Sequence, residues 1–203
     1  VAKMRNLVLV AVILQLALIE GKTENYEFGD IISFERSCPC TDMTYKHFAI
    51  YVGDTKLDGK KAGQDIFQRS VDLLITDLLH YIRKLYCIFE KLEDEHKSRS
   101  KINIERKDNY FDSVLKPGTK EEIIKRIKEK KGKCGVYNPI NNNCEHVATY
   151  IRYGERFSLQ NGTSFEKKFQ EIDKARAAKK NMKAKLLEIK TEMECLICRH
   201  KKG

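Results

Sequence analysis

The chain has 203 residues, a formal net charge of +10 and a pI near 9.2, enough length for one domain with a real core plus extensions. The basic excess is uneven: residues 163–203 carry twelve Lys/Arg against six Asp/Glu, which supplies six of the ten surplus charges. No aromatic-interleaved basic motif and no zinc-finger spacing accompanies it, which argues against a nucleic-acid partner and leaves an anionic membrane surface or a solvated helix face.

In chain order, Lys3 and Arg5 precede an apolar run from Leu7 to Ile19 broken only by Gln15. The run is shorter than the roughly twenty residues of a membrane span. It matches the apolar stretch of a secretory signal with a cut near Gly21, or an uncleaved signal anchor, so residues 1–21 are expected to direct the chain into the secretory pathway, with Met4 as the start. A location on the cytoplasmic face of membranes is the alternative.

Phe28-Gly29-Asp30-Ile31-Ile32-Ser33-Phe34-Glu35 reads as a turn and a strand, interrupted after it by Cys38-Pro39-Cys40. Tyr45–Val52 is predicted as a second strand, with His47, Ala49 and Tyr51 on one face and Phe48, Ile50 and Val52 on the other. Gly53-Asp54 closes it, a Gly/Lys-rich loop runs to Gln64, and Asp65–Arg69 is a short third strand. From Val71 the apolar positions recur at helical spacing through Leu74, Leu78, Ile82, Leu85 and Phe89, so a helical insertion is expected over 70–100. Lys101–Arg106 is a further strand. Thr119, with Glu122 three residues on, forms a capping box at the head of a helix through Ile123, Ile124 and Ile127.

Asn143-Cys144-Glu145-His146-Val147 opens the next helix. Asn143 is a good N-cap, Val147, Tyr150 and Ile151 form its apolar stripe, and Gly154 stops it. Cys144 thereby falls in the first turn, where unpaired amides and the helix dipole favour a thiolate. A thiol nucleophile also needs a base, and His47 on its strand is the candidate. His146 points away from Cys144 around the helix, and His80 reads as structural. The tail from Phe165 fits an a/d frame through Leu196, apart from Lys179 and Lys168. It is expected to be a basic surface helix, a short coiled coil allowing self-association through 165–196, or a solvated helix. Asn161-Gly162-Thr163 is a glycosylation sequon.

Of seven cysteines, six remain once Cys144 is set aside, an even number compatible with disulfides in an oxidising compartment, although sequence does not give the pairing. Cys195 and Cys198 lack a second pair at zinc-site spacing, so no metal is expected.

The blocks Gly29–Ile32, His47–Asp54, Asn143–Val147 and Arg152-Tyr153-Gly154 together resemble the lecithin:retinol acyltransferase-like family. That family includes the H-Ras-like suppressor phospholipase/acyltransferases and is distantly similar to bacterial cell-wall peptidases of the NlpC type. The resemblance implies an α+β domain over 22–160, a small antiparallel sheet packed on helices in a permuted papain-like arrangement, followed by a basic tail over 161–203. It also implies that Cys144 attacks a phospholipid acyl ester with His47 as general base. A thioester then passes the acyl group to water, an amine, an alcohol or a lysolipid, with no cofactor and with a phospholipid membrane surface as partner. The family's second His is absent: residue 59 is Gly, and no His lies between His47 and His80. If the Gly/Lys-rich loop is an insertion, Gln68 takes that position and orients His47 as an amide does in Cys-His-Asn triads. Asp58 is the alternative third member. The missing titratable group leaves a second expectation, a catalytically weak or inactive binding or regulatory protein that keeps the domain.

Overall fold

A computed structural model describes residues 25–37, 43–71, 85–96, 104–138, 141–167 and 170. Among these residues five strands form one sheet: β1 (Ile31–Ser37), β2 (Thr44–Tyr51), β3 (Ile66–Val71), β4 (Leu85–Glu90) and β5 (Ile104–Lys107). All neighbours are antiparallel, in the order β4-β3-β2-β1-β5. Among the described residues three α-helices accompany them, α1 (Leu92–His96), α2 (Lys120–Lys130) and α3 (Cys144–Tyr153), with a 3-10 turn at Tyr110–Ser113. The fold is α+β, as expected.

The strand alternation builds two apolar layers. Ile31, Phe48, Ile50, Phe67 and Phe89 face the helices and pack with Ile123 and Ile127 of α2 and Cys144, Val147, Ala148 and Ile151 of α3. Ile32, Phe34, Ala49 and Ile66 face the other way, under Tyr26, Tyr51 and Leu92. The expected insertion over 70–100 is corrected where the chain is described. Val71 ends β3, and Leu85–Glu90 is a strand paired with β3, with only the short α1 after it. Leu85, Ile88 and Phe89 suit either period, and in a short apolar segment pairing to an open sheet edge decides. Residues 72–84, including His80, lie outside the described residues, as do the apolar run over 7–19 and the tail from 171. Among the described residues no helix is long and apolar enough to cross a membrane.

The predicted caps at Thr119, Asn143 and Gly154 form. Thr119 accepts from the Glu122 amide while the Glu122 carboxylate accepts from the Thr119 amide, and Gly154 ends α3 in the left-handed region at φ 83°. Two of the sequence blocks, Gly29–Ile32 and Arg152-Tyr153-Gly154, meet in one structural unit. Arg152 donates to both Asp112 oxygens at 2.9 and 2.7 Å, to the Gly29 carbonyl at 2.7 Å and to Asp30 at 3.3 Å. Tyr153 donates to Asp112 at 2.9 Å. A buried guanidinium with this many acceptors is well satisfied, and it pins the C-terminal end of α3 to the turn that opens β1. That turn needs Gly29 because its φ of 92° lies in the left-handed region that side chains rarely adopt, and a Cβ there would also press within 2.7 Å of the end of the Ile123 side chain.

Candidate active site

The site lies where β2 and β3 part. β3 pairs with β2 only at Ala49, Ile50 and Tyr51, whereas β1 pairs with β2 along its whole length. The β3-side edge of β2 from Thr44 to Phe48 is therefore open to other partners, and three groups fill it. Ser164 accepts from the Thr44 amide at 3.0 Å and donates its own amide to the Thr44 carbonyl at 3.3 Å. Gln160 accepts from the Lys46 amide at 2.9 Å and donates to the Lys46 carbonyl at 3.2 Å. The Cys144 thiol donates to that same carbonyl at 4.0 Å, and the amides of Phe48 and Glu145 point at the sulfur. The sulfur thus rests against the backbone on either side of His47.

Helix α3 reaches this edge because of how its N-terminus is built. The Asn143 side chain accepts from the His146 amide at 3.0 Å, and the His146 ring Nδ1 lies 2.8 Å from the Asn143 side-chain oxygen. Asn143 also donates to Ser158 at 2.8 Å. His146, buried at 4 % exposure, is therefore part of the cap. The preceding loop is held by Arg69, which projects from β3 on the helix-facing side. Its guanidinium donates to the carbonyls of Asn142 at 2.9 Å, Gly135 at 2.7 Å and Cys134 at 3.4 Å and sits over the Tyr137 ring. A disulfide between Cys87, opposite Arg69 on β4, and Cys134 ties down the same loop, with Cα atoms 5.6 Å apart. Cys144 is free and buried.

His47 projects from the opposite face of β2, where its ring stacks on Phe34, and leans over the gap toward β3. Its Nε2 meets the Gln68 side-chain oxygen at 2.5 Å. Gln68, buried at 2 % exposure, in turn donates its amide group to Glu90 and, at 2.7 Å, to Glu95. Glu95 is ion-paired with Arg36. The structure therefore brings His47 and Gln68 into direct contact and sets the Cys144 sulfur beside the His47 backbone, with the thiol hydrogen-bonded to the Lys46 carbonyl and not to the imidazole. Asp58 instead pairs with Lys131 at the surface.

Burial governs the protonation states. It pushes the Cys144 thiol up to about 11, against the lowering effect of the Phe48 amide, with Glu145 adding to the rise and Arg36 opposing it. Burial first, and the Arg36 cation second, bring His47 down to about 3 despite its hydrogen bond to the Gln68 side-chain oxygen. The thiolate expected from the helix N-terminus is thus overruled by desolvation in the resting site, which holds a neutral thiol and a neutral imidazole. A raised folded pKa makes ionisation harder than in the unfolded chain. The alkylation rate of Cys144 by iodoacetamide, followed by peptide mass, is therefore expected to keep rising with pH beyond 9. A plateau already reached below pH 7 would instead identify a thiolate–imidazolium pair.

Sequence reasoning missed Arg69, Glu90, Glu95, Glu145 and Gln160. Glu145 is fully buried. It accepts from Tyr110 at 2.5 Å, Ser158 at 2.7 Å, the Leu159 and Gln160 amides at 3.0 and 3.1 Å, and the Gln160 side chain at 3.1 Å. An acid in a first helical turn reads as a surface partner of the dipole, so only its place directly after Cys144 hinted at more.

Residues 24–157 match the family described as Lecithin retinol acyltransferase. The mouse protein named "Phospholipase A and acyltransferase 1" is 29 % identical over 138 residues, covering 65 % of this chain and 71 % of that protein. Its human counterpart of the same name is 46 % identical over 122 residues, 57 % of this chain and 64 % of that protein. Mouse "Lecithin retinol acyltransferase" is 27 % identical over 154 residues, 69 % of this chain and 62 % of that protein. With its β2 and α3 motifs joined in one α+β domain and the family match covering residues 24–157, the chain belongs to the lecithin retinol acyltransferase family.

Proposed function

We propose that the protein is a thiol phospholipase A/acyltransferase acting on glycerophospholipid acyl esters, with Cys144 as nucleophile and His47 as general base. The observation that carries this reading is the β2 edge, where the sulfur rests against the backbone flanking a histidine whose far nitrogen is already engaged by Gln68. With Nε2 taken, Nδ1 is the ring nitrogen left for the thiol. It is also the one nearer the His47 backbone, where the sulfur sits. In this reading the thiol leaves the Lys46 carbonyl to meet Nδ1 only once substrate binds, since catalytic hydrogen bonds are often long or misaligned in the free enzyme.

In the forward step His47 Nδ1 takes the thiol proton as sulfur bonds to the ester carbonyl carbon. The tetrahedral adduct collapses, the C–O bond to glycerol breaks, and the imidazolium returns the proton to the departing lysolipid oxygen. The thioester is then attacked by water, which His47 deprotonates, to give fatty acid, or by an amine or lysolipid hydroxyl to give the transferred product. The starting pair is neutral, so proton transfer accompanies attack and does not precede it. The order of His47 before Cys144 along the chain suits a permuted papain-like arrangement.

Residues 22–160 form the catalytic unit in this reading. The apolar run over 7–19 and the basic tail bring it to a phospholipid surface in the secretory pathway, a location that the Cys87–Cys134 disulfide favours. The test is release of labelled fatty acid and lysolipid from phosphatidylcholine vesicles by the purified full chain. Release that is lost in Cys144→Ala supports the reading, and equal release by that variant refutes the nucleophile. One observation favours a second reading, a catalytically silent lipid-binding protein: Gln68 cannot titrate. Vesicle binding by well-folded wild type with neither release nor transfer of the acyl group would select it.

A further inference from the structure

The Gln68 amide has two donors and one acceptor side, and all are used: its nitrogen faces Glu90 and Glu95 and its oxygen faces His47. The two carboxylates come from different elements, Glu90 from the end of β4 and Glu95 from α1. Each lies on the His47 side of the sheet, and Arg36 of β1 holds Glu95 from behind. Neither acid touches the imidazole in this network. Their placement nonetheless dictates which way round the amide sits. Rotating it by half a turn would aim its oxygen at two carboxylates and its NH2 at the ring, replacing two charge-assisted hydrogen bonds with repulsion. With the oxygen fixed toward His47, the ring nitrogen opposite must carry a proton.

We propose that Glu90 and Glu95 are positioning residues: they lock the orientation of Gln68, which holds His47 as the Nε2–H tautomer and keeps the lone pair of Nδ1 available to the Cys144 proton. This rests on the reading of Cys144 and His47 as nucleophile and base. Gln68 alone would not suffice, because a free side-chain amide presents oxygen or nitrogen with equal ease. With NH2 turned toward it, the ring would accept at Nε2 and carry its proton at Nδ1, the wrong nitrogen for the thiol.

The experiment is 15N-correlated NMR of the imidazoles in the 15N-labelled full chain at pH 7, with the His47 signals assigned by their loss in His47→Asn. It is run on wild type and on Glu90→Gln/Glu95→Gln, whose new amides can offer Gln68 either a donor or an acceptor. Wild type is expected to show a protonated Nε2 and a bare Nδ1, and the double variant a mixture of tautomers. The rate of Cys144 acylation by phosphatidylcholine should fall at least about tenfold in the variant, as expected when a general base is left in the wrong tautomer. The half-saturating lipid concentration should change by less than about twofold, since neither acid is asked to touch substrate. A wild-type spectrum with the proton on Nδ1 overturns the proposal without any variant. So does a double variant that keeps both the tautomer and the rate. Should wild type never acylate, the reading of the enzyme fails, while the tautomer spectrum still decides whether the acids set the ring.

Discussion

Replacing Glu145 by alanine is expected to cost about 3–5 kcal/mol of folding stability, because several buried donors lose their acceptor at about 1–3 kcal/mol for each one left unsatisfied. Alanine leaves five hydrogen bonds without their acceptor: those of the Tyr110 and Ser158 hydroxyls, the Leu159 and Gln160 amides and the Gln160 side chain. The carboxylate also carries no exposed surface, so little water is at hand to replace it. The damage should spread to the site, because Gln160 is the residue that covers the open edge of β2 at Lys46. Urea unfolding followed by circular dichroism measures the loss. Glu145→Gln, which keeps the shape and some of the acceptors, should lose less. A Glu145→Ala loss below about 1 kcal/mol, the size of a single ordinary hydrogen bond, would contradict this account of the network.

His47→Ala is expected to reduce acyl transfer by roughly three to four orders of magnitude with the fold retained, the scale seen when a catalytic base or its tautomer is lost. Its ring stacks on Phe34 and bonds the Gln68 oxygen without joining either apolar cluster, so alanine removes chemistry more than packing. His146 makes the control. Its ring belongs to the Asn143 cap, so His146→Ala should cost about 1 kcal/mol of stability and leave turnover per folded molecule within a few-fold of wild type. Steady-state hydrolysis of phosphatidylcholine vesicles by the two variants separates them. Equal losses in both would remove the basis for choosing His47.

Much of the scaffold was legible because it rests on local rules. The alternation in Tyr45–Val52 predicted the two faces of β2, and the capping box at Thr119 and the N-cap at Asn143 predicted where two helices begin. The placement of Gln68 beside His47 was legible too, since it follows from treating the Gly/Lys-rich loop as an insertion before β3. Long-range partners were not. Nothing local marks Arg69 as the clamp on the Cys144 loop, or Glu90 and Glu95 as neighbours of Gln68, because those meetings depend on β4 and α1 folding against β3. Leu85–Glu90 was read with the wrong period because the apolar residues of a strand that joins an existing edge also fit a helical stripe. The thiol ionisation expected from helix position failed for a related reason. Helix dipoles act locally, while burial is set by the layer of residues packed around the sulfur.

The most direct measurement is the mass of the Cys144-containing peptide after brief exposure of the full chain to phosphatidylcholine and an acid quench. The account predicts a gain of one fatty acyl group on Cys144, removable by neutral hydroxylamine as a thioester should be, and absent in Cys144→Ala. An acyl group found on another residue, or lipid turned over with Cys144 never modified, would contradict it.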